Sequence, residues 1–112
     1  MRVPKSYMPS GGWHNTDEIR EANESNAHHW FDAGTMGFFK SRASWDIYGG
    51  RYFVSSEQQP AFDGHVYPRT YTVREADTFG FISSASALGE FSTRARAVSA
   101  AKRYAREGVD HG

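Results

Sequence analysis

The sequence predicts an α+β domain in which an antiparallel sheet of three to four strands is flanked by an N-terminal and a C-terminal helix. Three observations support this fold class. Both ends of the chain show helical periodicity, the middle holds short aromatic and β-branched runs, and Gly and Pro residues separate those runs. The order of these elements indicates one sheet with its helices packed on one face.

The core is predicted to be built from aromatic side chains. Leu88 is the single leucine, whereas the chain contains eight Phe, six Tyr and three Trp residues. Each buried aromatic ring removes roughly 150–250 Å² from water, so these rings can replace the missing aliphatic residues. Disorder normally requires a large net charge, and here 13 basic residues balance 13 acidic ones. The composition therefore favours a compact, folded chain.

One domain is expected over residues 15–108, between a flexible leader at residues 1–14 and a flexible tail at residues 109–112. The leader contains Pro and Gly but no apolar run, so it is unlike a signal peptide. No stretch of about 20 apolar residues is present to span a membrane. The chain contains no cysteine, which excludes disulfides and thiolate chemistry. We therefore expect a soluble protein without membrane contacts.

The first helix is predicted over residues 16–25. Asn15 can cap its N-terminus, and Glu18 follows three residues later, as in a capping box. Ile19 and Ala22 provide a narrow apolar face. Acidic residues in the first turns suit the positive end of the helix dipole.

The clearest strand signal lies on either side of Gly49-Gly50. The runs Trp45–Tyr48 and Arg51–Ser55 are rich in residues that suit a pleated, half-buried surface. A Gly pair between such runs predicts a two-residue hairpin turn, because these turns need positive φ. Upstream, residues 26–37 are predicted as a loop and Phe38-Phe39 as the start of a first strand.

Two further strands are predicted in the second half of the chain. A loop at residues 58–68 precedes a strand at residues 69–75, in which alternate side chains face opposite sides. After a turn at residues 77–80, the last strand is predicted from Phe81-Ile82 through residues 88–91. Gly89 indicates a bulge near the end of this strand.

A second helix is predicted between a cap at Ser92 or Thr93 and a stop at Gly108. Its apolar residues fall on one arc, at about 100° per residue, and its cations fall on the opposite arc. The apolar arc consists of Ala97, Val98, Ala101, Tyr104 and Ala105, and the basic arc consists of Arg96, Lys102, Arg103 and Arg106.

No motif in the sequence indicates catalysis, a metal or a cofactor. His28 and His29 lie near Asp32 in sequence, and His14 and His65 are further nitrogen donors. A zinc site needs about four ligands at characteristic spacings, which are missing here. The carboxylates are scattered over loops and strands, and the Gly pair lacks the lysine of a phosphate-binding loop. We therefore predict a protein that is not an enzyme and needs no cofactor or metal.

The charge pattern is the strongest indication of a binding role. Residues 94–106 contain five basic residues and no acidic one, whereas residues 15–32 contain five acids against Arg20. Clustered cations suit phosphate contacts, and aromatic residues near strand arginines suit base stacking. Ordinary solvation of a helix surface explains the same cations without a partner. The candidate cationic contacts are Arg51, Arg69, Arg74, Arg96, Lys102, Arg103 and Arg106, and the candidate acidic contacts are Asp17, Glu18, Glu21 and Glu24.

Several blocks of the sequence together resemble a known group of proteins. The blocks are Ile19–Asn23, Phe38–Arg42, Tyr48–Glu57, Arg69–Arg74 and Gly89–Phe91, with an Ala-rich helix after the last. They resemble small accessory proteins of unknown function that are encoded by bacteriophages of actinobacteria. The resemblance implies a protein made in the host cytoplasm, and it implies no catalytic residue.

The last third of the chain has a second, shorter resemblance. Tyr71–Arg74, Leu88–Thr93 and the following helix are similar to the sheet-plus-helix modules of AP2-type and integrase arm-binding DNA domains. In those families the sheet contacts DNA, which implies Arg69 and Arg74 as the contacts here.

These observations lead us to expect a non-enzymatic phage accessory protein that binds a host macromolecule, with a host protein as the first expectation. The alternative is a small DNA- or RNA-binding protein that uses the sheet and the basic C-terminal helix. Opposite charges at the two ends of the domain also suit association between copies of the chain.

Overall fold

The computed structural model describes residues 12–84 and 90–107. Within them the helices are Thr16–Ser25 (α1), Ala33–Phe38 (α2) and Arg94–Glu107 (α3), and the strands are Arg42–Ala43 (β1), Tyr52–Gln58 (β2), Arg69–Ala76 (β3), Ile82–Ser84 (β4) and Glu90–Phe91 (β5). The strands form one antiparallel sheet in the order β1-β2-β3-β4, and β5 also pairs with β3. The predicted α+β fold class, with a helix at each end of the chain, is confirmed.

The outer edge of β3 pairs with two short strands, β4 and β5. β4 pairs with the C-terminal part of β3 through Arg74 and Ser84, and β5 pairs with the N-terminal part through Tyr71 and Phe91. Because β2 occupies the whole opposite edge of β3, β4 and β5 follow one another along the same edge. Two short strands are therefore present where the sequence predicted a single last strand, and the bulge predicted at Gly89 lies outside the described residues.

α3 covers one face of the sheet. Tyr52, Val54 and Val73 project from the two central strands and pack against Ala101 and Tyr104 of the helix. The rings of Tyr52 and Tyr104 stack with their centroids 5.3 Å apart. We call this side of the sheet the α3 face.

α1 and the residues just before it cover the opposite face. Phe53 and Ala76 pack there against Trp13, Ile19 and Ala22. The expectation that the helices share one face is therefore wrong. The reason lies in β2, whose first five residues are all buried, so that both sides of this strand need a covering layer.

The structure also changes the predicted leader. The Pro and Gly residues that precede Trp13 predict a flexible segment that includes it. Its side chain is only 3% exposed, and its Nε1 donates a hydrogen bond to the carbonyl oxygen of Asp77 at 3.1 Å. Trp13 thus belongs to the folded core, while residues 1–11 and the predicted tail at residues 109–112 lie outside the described residues.

α1 has the predicted bounds, and buried polar contacts attach it to the turn before β4. The side chain of Asn15 accepts a hydrogen bond from the amide of Glu18 at 3.1 Å, as its capping role requires. Asn23 is completely buried. Its Nδ2 donates to the carbonyl oxygen of Gly80 at 2.9 Å, and its Oδ1 accepts from the amide of Trp30 at 3.2 Å.

The segment between α1 and β2 differs most from its prediction. Phe38 ends α2, and Phe39 follows it, so neither residue starts a strand. α2 directs Met36 toward the core on the α1 side, whereas Phe38 remains 65% exposed. Strand propensity was thus a poor guide to two rings that the fold leaves in solvent. The first strand is β1, which begins at Arg42.

A tight turn is present at Gly49-Gly50, but it has three residues instead of the predicted two, and residues 45–48 do not form the predicted partner strand. Both glycines have positive φ, 62° and 77°. The amide of Tyr48 donates to the carbonyl of Tyr52 at 2.7 Å, which leaves three residues in the turn. Residues 45–48 form no strand, because β2 pairs with β1 and β3 instead. The prediction of a strand at Trp45–Tyr48 is therefore wrong.

α3 begins at Arg94, and the side chain of Thr93 accepts a hydrogen bond from the amide of Arg96 at 3.2 Å. Its predicted apolar arc faces the sheet, and the predicted stop at Gly108 lies outside the described residues. None of the helices within residues 12–84 and 90–107 is long and apolar enough to cross a membrane.

Candidate functional site

The structure separates the three strand arginines that the sequence suggested as one surface. Arg74 lies on the α1 face, where its Nε donates to Ser55 Oγ at 2.9 Å and its Nη2 lies 3.4 Å from Glu57 Oε1. Its guanidinium also lies over the ring of Trp30, 5.6 Å from the centroid. These contacts hold Arg74 within the fold and away from the α3 face.

Arg51 lies at the opposite end of the sheet from Arg69. Its Nε is 3.4 Å from Glu75 Oε2, so an ion pair already engages this guanidinium. The two arginines are separated by the length of β2, about 23 Å at 3.3 Å per residue. Burial raises the pKa of the neighbouring Tyr52 hydroxyl above its ordinary value, and the Glu75 carboxylate adds to this effect.

Arg69 lies on the α3 face, in a pocket that sequence reasoning did not find. Its Nη1 donates to the carbonyl oxygen of Lys40 at 2.9 Å and to Ser56 Oγ at 2.8 Å. Two exposed arginines, Arg42 and Arg94, line the same cavity of about 260 Å³. We call it the arginine pocket; its lining residues are Arg42, Ala43, Ser44, Val54, Ser55, Ser56, Arg69, Tyr71 and Arg94.

The pocket is assembled by strand register. Arg42 of β1 pairs with Ser56 of β2, and Ser56 pairs with Tyr71 of β3. Directly paired residues of an antiparallel sheet project to the same side, so all three face the start of α3. Arg94 then reaches the pocket from the first turn of the helix. Because the prediction put the first strand at Phe38, the register that includes Arg42 was not available from the sequence.

The predicted basic arc forms the solvent side of α3. We call it the basic face; it consists of Arg96, Lys102, Arg103 and Arg106, which are all exposed. Lys102 Nζ lies 6.0 Å from the centroid of the Tyr48 ring, and Arg96 and Arg103 line a second cavity of about 400 Å³ beside Phe91. Among the described residues, none of the four cations forms an ion pair.

The acidic residues of α1 lie on the other side of the sheet. Glu18 is engaged locally, because its Oε1 accepts from the amide of His14 at 2.8 Å. Asp17, Glu21 and Glu24 are exposed. Since α1 and α3 cover opposite faces, the acidic and basic helices do not pair within one molecule. The exposed acids of α1 and the cations of α3 therefore lie on opposite sides of the sheet.

The histidines are distributed over separate local contacts. His14 Nδ1 lies 3.1 Å from Glu18 Oε2, and His29 Nδ1 lies 3.5 Å from Asp32 Oδ2. His65 packs edge-on against Tyr67. Within residues 12–84 and 90–107, no group of three or more His, Asp or Glu side chains is placed to hold a metal ion.

Several large apolar side chains are exposed outside these charged regions. Phe38 and Phe39 form an edge-on pair with ring centroids 4.6 Å apart. Phe62 and Val66, in the connection between β2 and β3, are 73% and 69% exposed. Exposed aromatic residues of this kind are enriched where proteins contact one another.

The fold and its surfaces define a small α+β protein with a basic side and an acidic side, separated by the sheet. Residues 15–103 match the model of a family of unknown function (DUF7447), and the chain belongs to this family. No curated protein and no solved structure matches the chain.

Proposed function

We propose that this protein is a non-enzymatic binding protein whose basic face contacts the phosphate backbone of nucleic acid. The observation that carries the proposal is the exposure of Arg96, Lys102, Arg103 and Arg106 on one side of α3, without a carboxylate partner among the described residues. Phosphate contacts need clustered cations, and a protein of zero net charge can supply them locally.

The dimensions of α3 suit this role. A helix of 14 residues is about 21 Å long, which corresponds to roughly six base-pair steps of a duplex. The acids of α1 lie behind the sheet and do not face a polyanion that approaches α3. The proposed contact therefore uses the helix, in contrast to the sheet-mediated contact that the resemblance to AP2-type modules implies.

The sheet itself is a poor candidate for the contact. Tyr52 and Phe53, two of the aromatic residues near the predicted strand arginines, are buried. Arg74 is engaged on the α1 face, and α3 covers the opposite face. Base stacking by these rings would require α3 to leave the sheet.

The test is the salt dependence of binding to a labelled oligonucleotide, measured by fluorescence anisotropy. We expect affinity to fall steeply with salt, and Arg96→Gln/Arg103→Gln to reduce the slope of log K against log salt by about 2. The matched control is Arg20→Gln/Lys40→Gln, which changes net charge equally away from the basic face. Absence of binding at low salt, or equal losses in both double variants, would refute the proposal.

A second candidate is binding to a host protein, which the exposed Phe38 and Phe39 favour. The resemblance to phage accessory proteins supports this setting and a location in the host cytoplasm. Phe38→Ser/Phe39→Ser should then abolish recovery of one specific partner from host lysate, while Arg96→Gln/Arg103→Gln should retain it. The reverse pattern would favour recognition of an acidic partner by the basic face.

A further inference from the structure

The geometry of the arginine pocket points to a binding site for a phosphate monoester group, and we propose that Arg42, Arg69 and Arg94 together hold that group. This inference goes beyond the proposed function, because the pocket and the basic face use different residues. It rests on the residues that line the pocket, on the strand pairing that brings them together, and on positive charges that no carboxylate among the described residues balances.

Three of the residues that line this one cavity are arginines, and none of its lining residues carries a carboxylate. Arg42 and Arg94 are exposed and form no ion pair among the described residues. Arrangements of like charge are unfavourable unless something of opposite sign is nearby. A dianionic group fits this excess better than chloride or a single carboxylate does.

The placement of Arg94 strengthens the argument. The first turn of α3 contains Arg94 and Arg96 and no acidic residue. The dipole of a helix disfavours cations at this end, so local stability does not account for them. Departures from such local rules are concentrated at functional sites. The dipole alone would not define a ligand, but here it adds to an arginine cluster inside a cavity.

The remaining lining residues match the other requirements of a phosphate ester. Arg69 Nη1 donates to the Lys40 carbonyl oxygen and to Ser56 Oγ, which fixes the guanidinium. Its Nε and Nη2 have no partner among the described residues and can donate to a ligand. The side chain of Ser44 is a further hydroxyl in the lining. Tyr71 and Val54 form an apolar wall that suits the carbon skeleton of an ester. The volume of about 260 Å³ is enough for a phosphate group with part of its ester.

The experiment is thermal unfolding of the full chain in phosphate and in chloride at equal ionic strength. At a phosphate concentration ten times the dissociation constant, the unfolding equilibrium constant should fall about elevenfold. Arg42→Gln and Arg94→Gln should abolish this response and should leave the protein at least as stable as the parent in chloride, because each relieves repulsion. Arg106→Gln, an exposed arginine at the far end of the same helix, should keep the full response.

Further arms distinguish the source of the phosphate. A nucleoside monophosphate is compared with its nucleoside, and an oligonucleotide with a 5′-phosphate is compared with its 5′-hydroxyl form. A response to the nucleoside monophosphate indicates a small ligand, and a response confined to the phosphorylated oligonucleotide indicates a nucleic-acid end. Arg96→Gln/Arg103→Gln should keep the phosphate response, so failure of the proposed nucleic-acid contact is separable from failure of the pocket. Equal stabilisation by all anions, or loss of the response in Arg106→Gln, would overturn the inference.

Discussion

Replacement of Asn23 by Ala should be among the most destabilising changes in this protein. Asn23 is completely buried and joins α1 to two other segments, through Gly80 and Trp30. Truncation leaves the buried carbonyl oxygen of Gly80 and the partly buried amide of Trp30 without these partners. Each unsatisfied group costs about 1–3 kcal/mol, so we expect a loss of about 3 kcal/mol in the free energy of unfolding after partial relaxation.

The assay is equilibrium unfolding in urea. With a slope typical of a small domain, this loss should lower the midpoint by about 2 M. Asn23→Asp retains the acceptor for Trp30 but places a carboxylate against the Gly80 carbonyl, so it should destabilise at least as much at neutral pH. Glu24→Ala, an exposed neighbour on the same helix, is the control. A free energy of unfolding for Asn23→Ala within 1 kcal/mol of this control would refute the reasoning, since it would show that the two hydrogen bonds contribute little.

Three further changes follow from the contacts of single residues. Gly49→Ala should lower the melting temperature and reduce the free energy of unfolding by about 2 kcal/mol. The new Cβ would lie 2.6 Å from the Cβ of Ala105, and residue 49 has a φ of +62°. Gly37→Ala is the matched control, because its new Cβ would meet nothing within 4 Å. Arg74→Ala should lower the free energy of unfolding in urea by about 2 kcal/mol, because it leaves the largely buried Glu57 carboxylate without its cation. A smaller loss of free energy than in Gly37→Ala would contradict this. Tyr52→Phe should reduce the loss of stability at alkaline pH. Burial raises the pKa of Tyr52 in the folded protein above its unfolded value of about 10. The stability that the neutral hydroxyl contributes is therefore complete below the unfolded pKa and is lost as pH rises through the folded pKa. The free energy of unfolding is measured against pH for the parent and for Tyr52→Phe. Two coinciding curves would show that ionisation of Tyr52 does not contribute to the alkaline loss of stability.

The elements that could be predicted from the sequence are those whose signals are local. Asn15 and Glu18 define the start of α1, and the periodic alanines of α3 define its buried side, so neither helix depends on distant residues for its boundaries. The two glycines at the tight turn need only their own positive φ. For these features, the sequence of about ten neighbouring residues contains the physical cause.

The predictions that were wrong concern features that depend on contacts between residues distant in sequence. Phe38 and Phe39 resemble the start of a strand because of their β propensity. In the structure Phe38 ends a helix from which Met36 packs against the core, and both rings are exposed. The pairing of Arg42 with Ser56 is likewise a property of the assembled sheet. The arginine pocket therefore could not be found before the register was known.

One error was avoidable from the sequence alone. The resemblance to AP2-type modules implies that Arg69 and Arg74 contact DNA from one sheet surface, but they are five residues apart on a single strand. Because side chains alternate along a strand, an odd separation places two residues on opposite faces. The structure follows that rule, with Arg69 beside Ser56 on the α3 face and Arg74 beside Ser55 on the other.

The two-sided burial of β2 has an electrostatic consequence that the net charge conceals. Phe53 packs against α1 on one face of the sheet, and Tyr52 packs against α3 on the other. At about 10 Å per packed layer, the axes of the two helices are roughly 20 Å apart. That distance is more than two Debye lengths at physiological salt, where the Debye length is about 8 Å. The acids of α1 therefore do little to neutralise the basic face, so a neutral isoelectric point is no argument against a polyanionic partner for this protein.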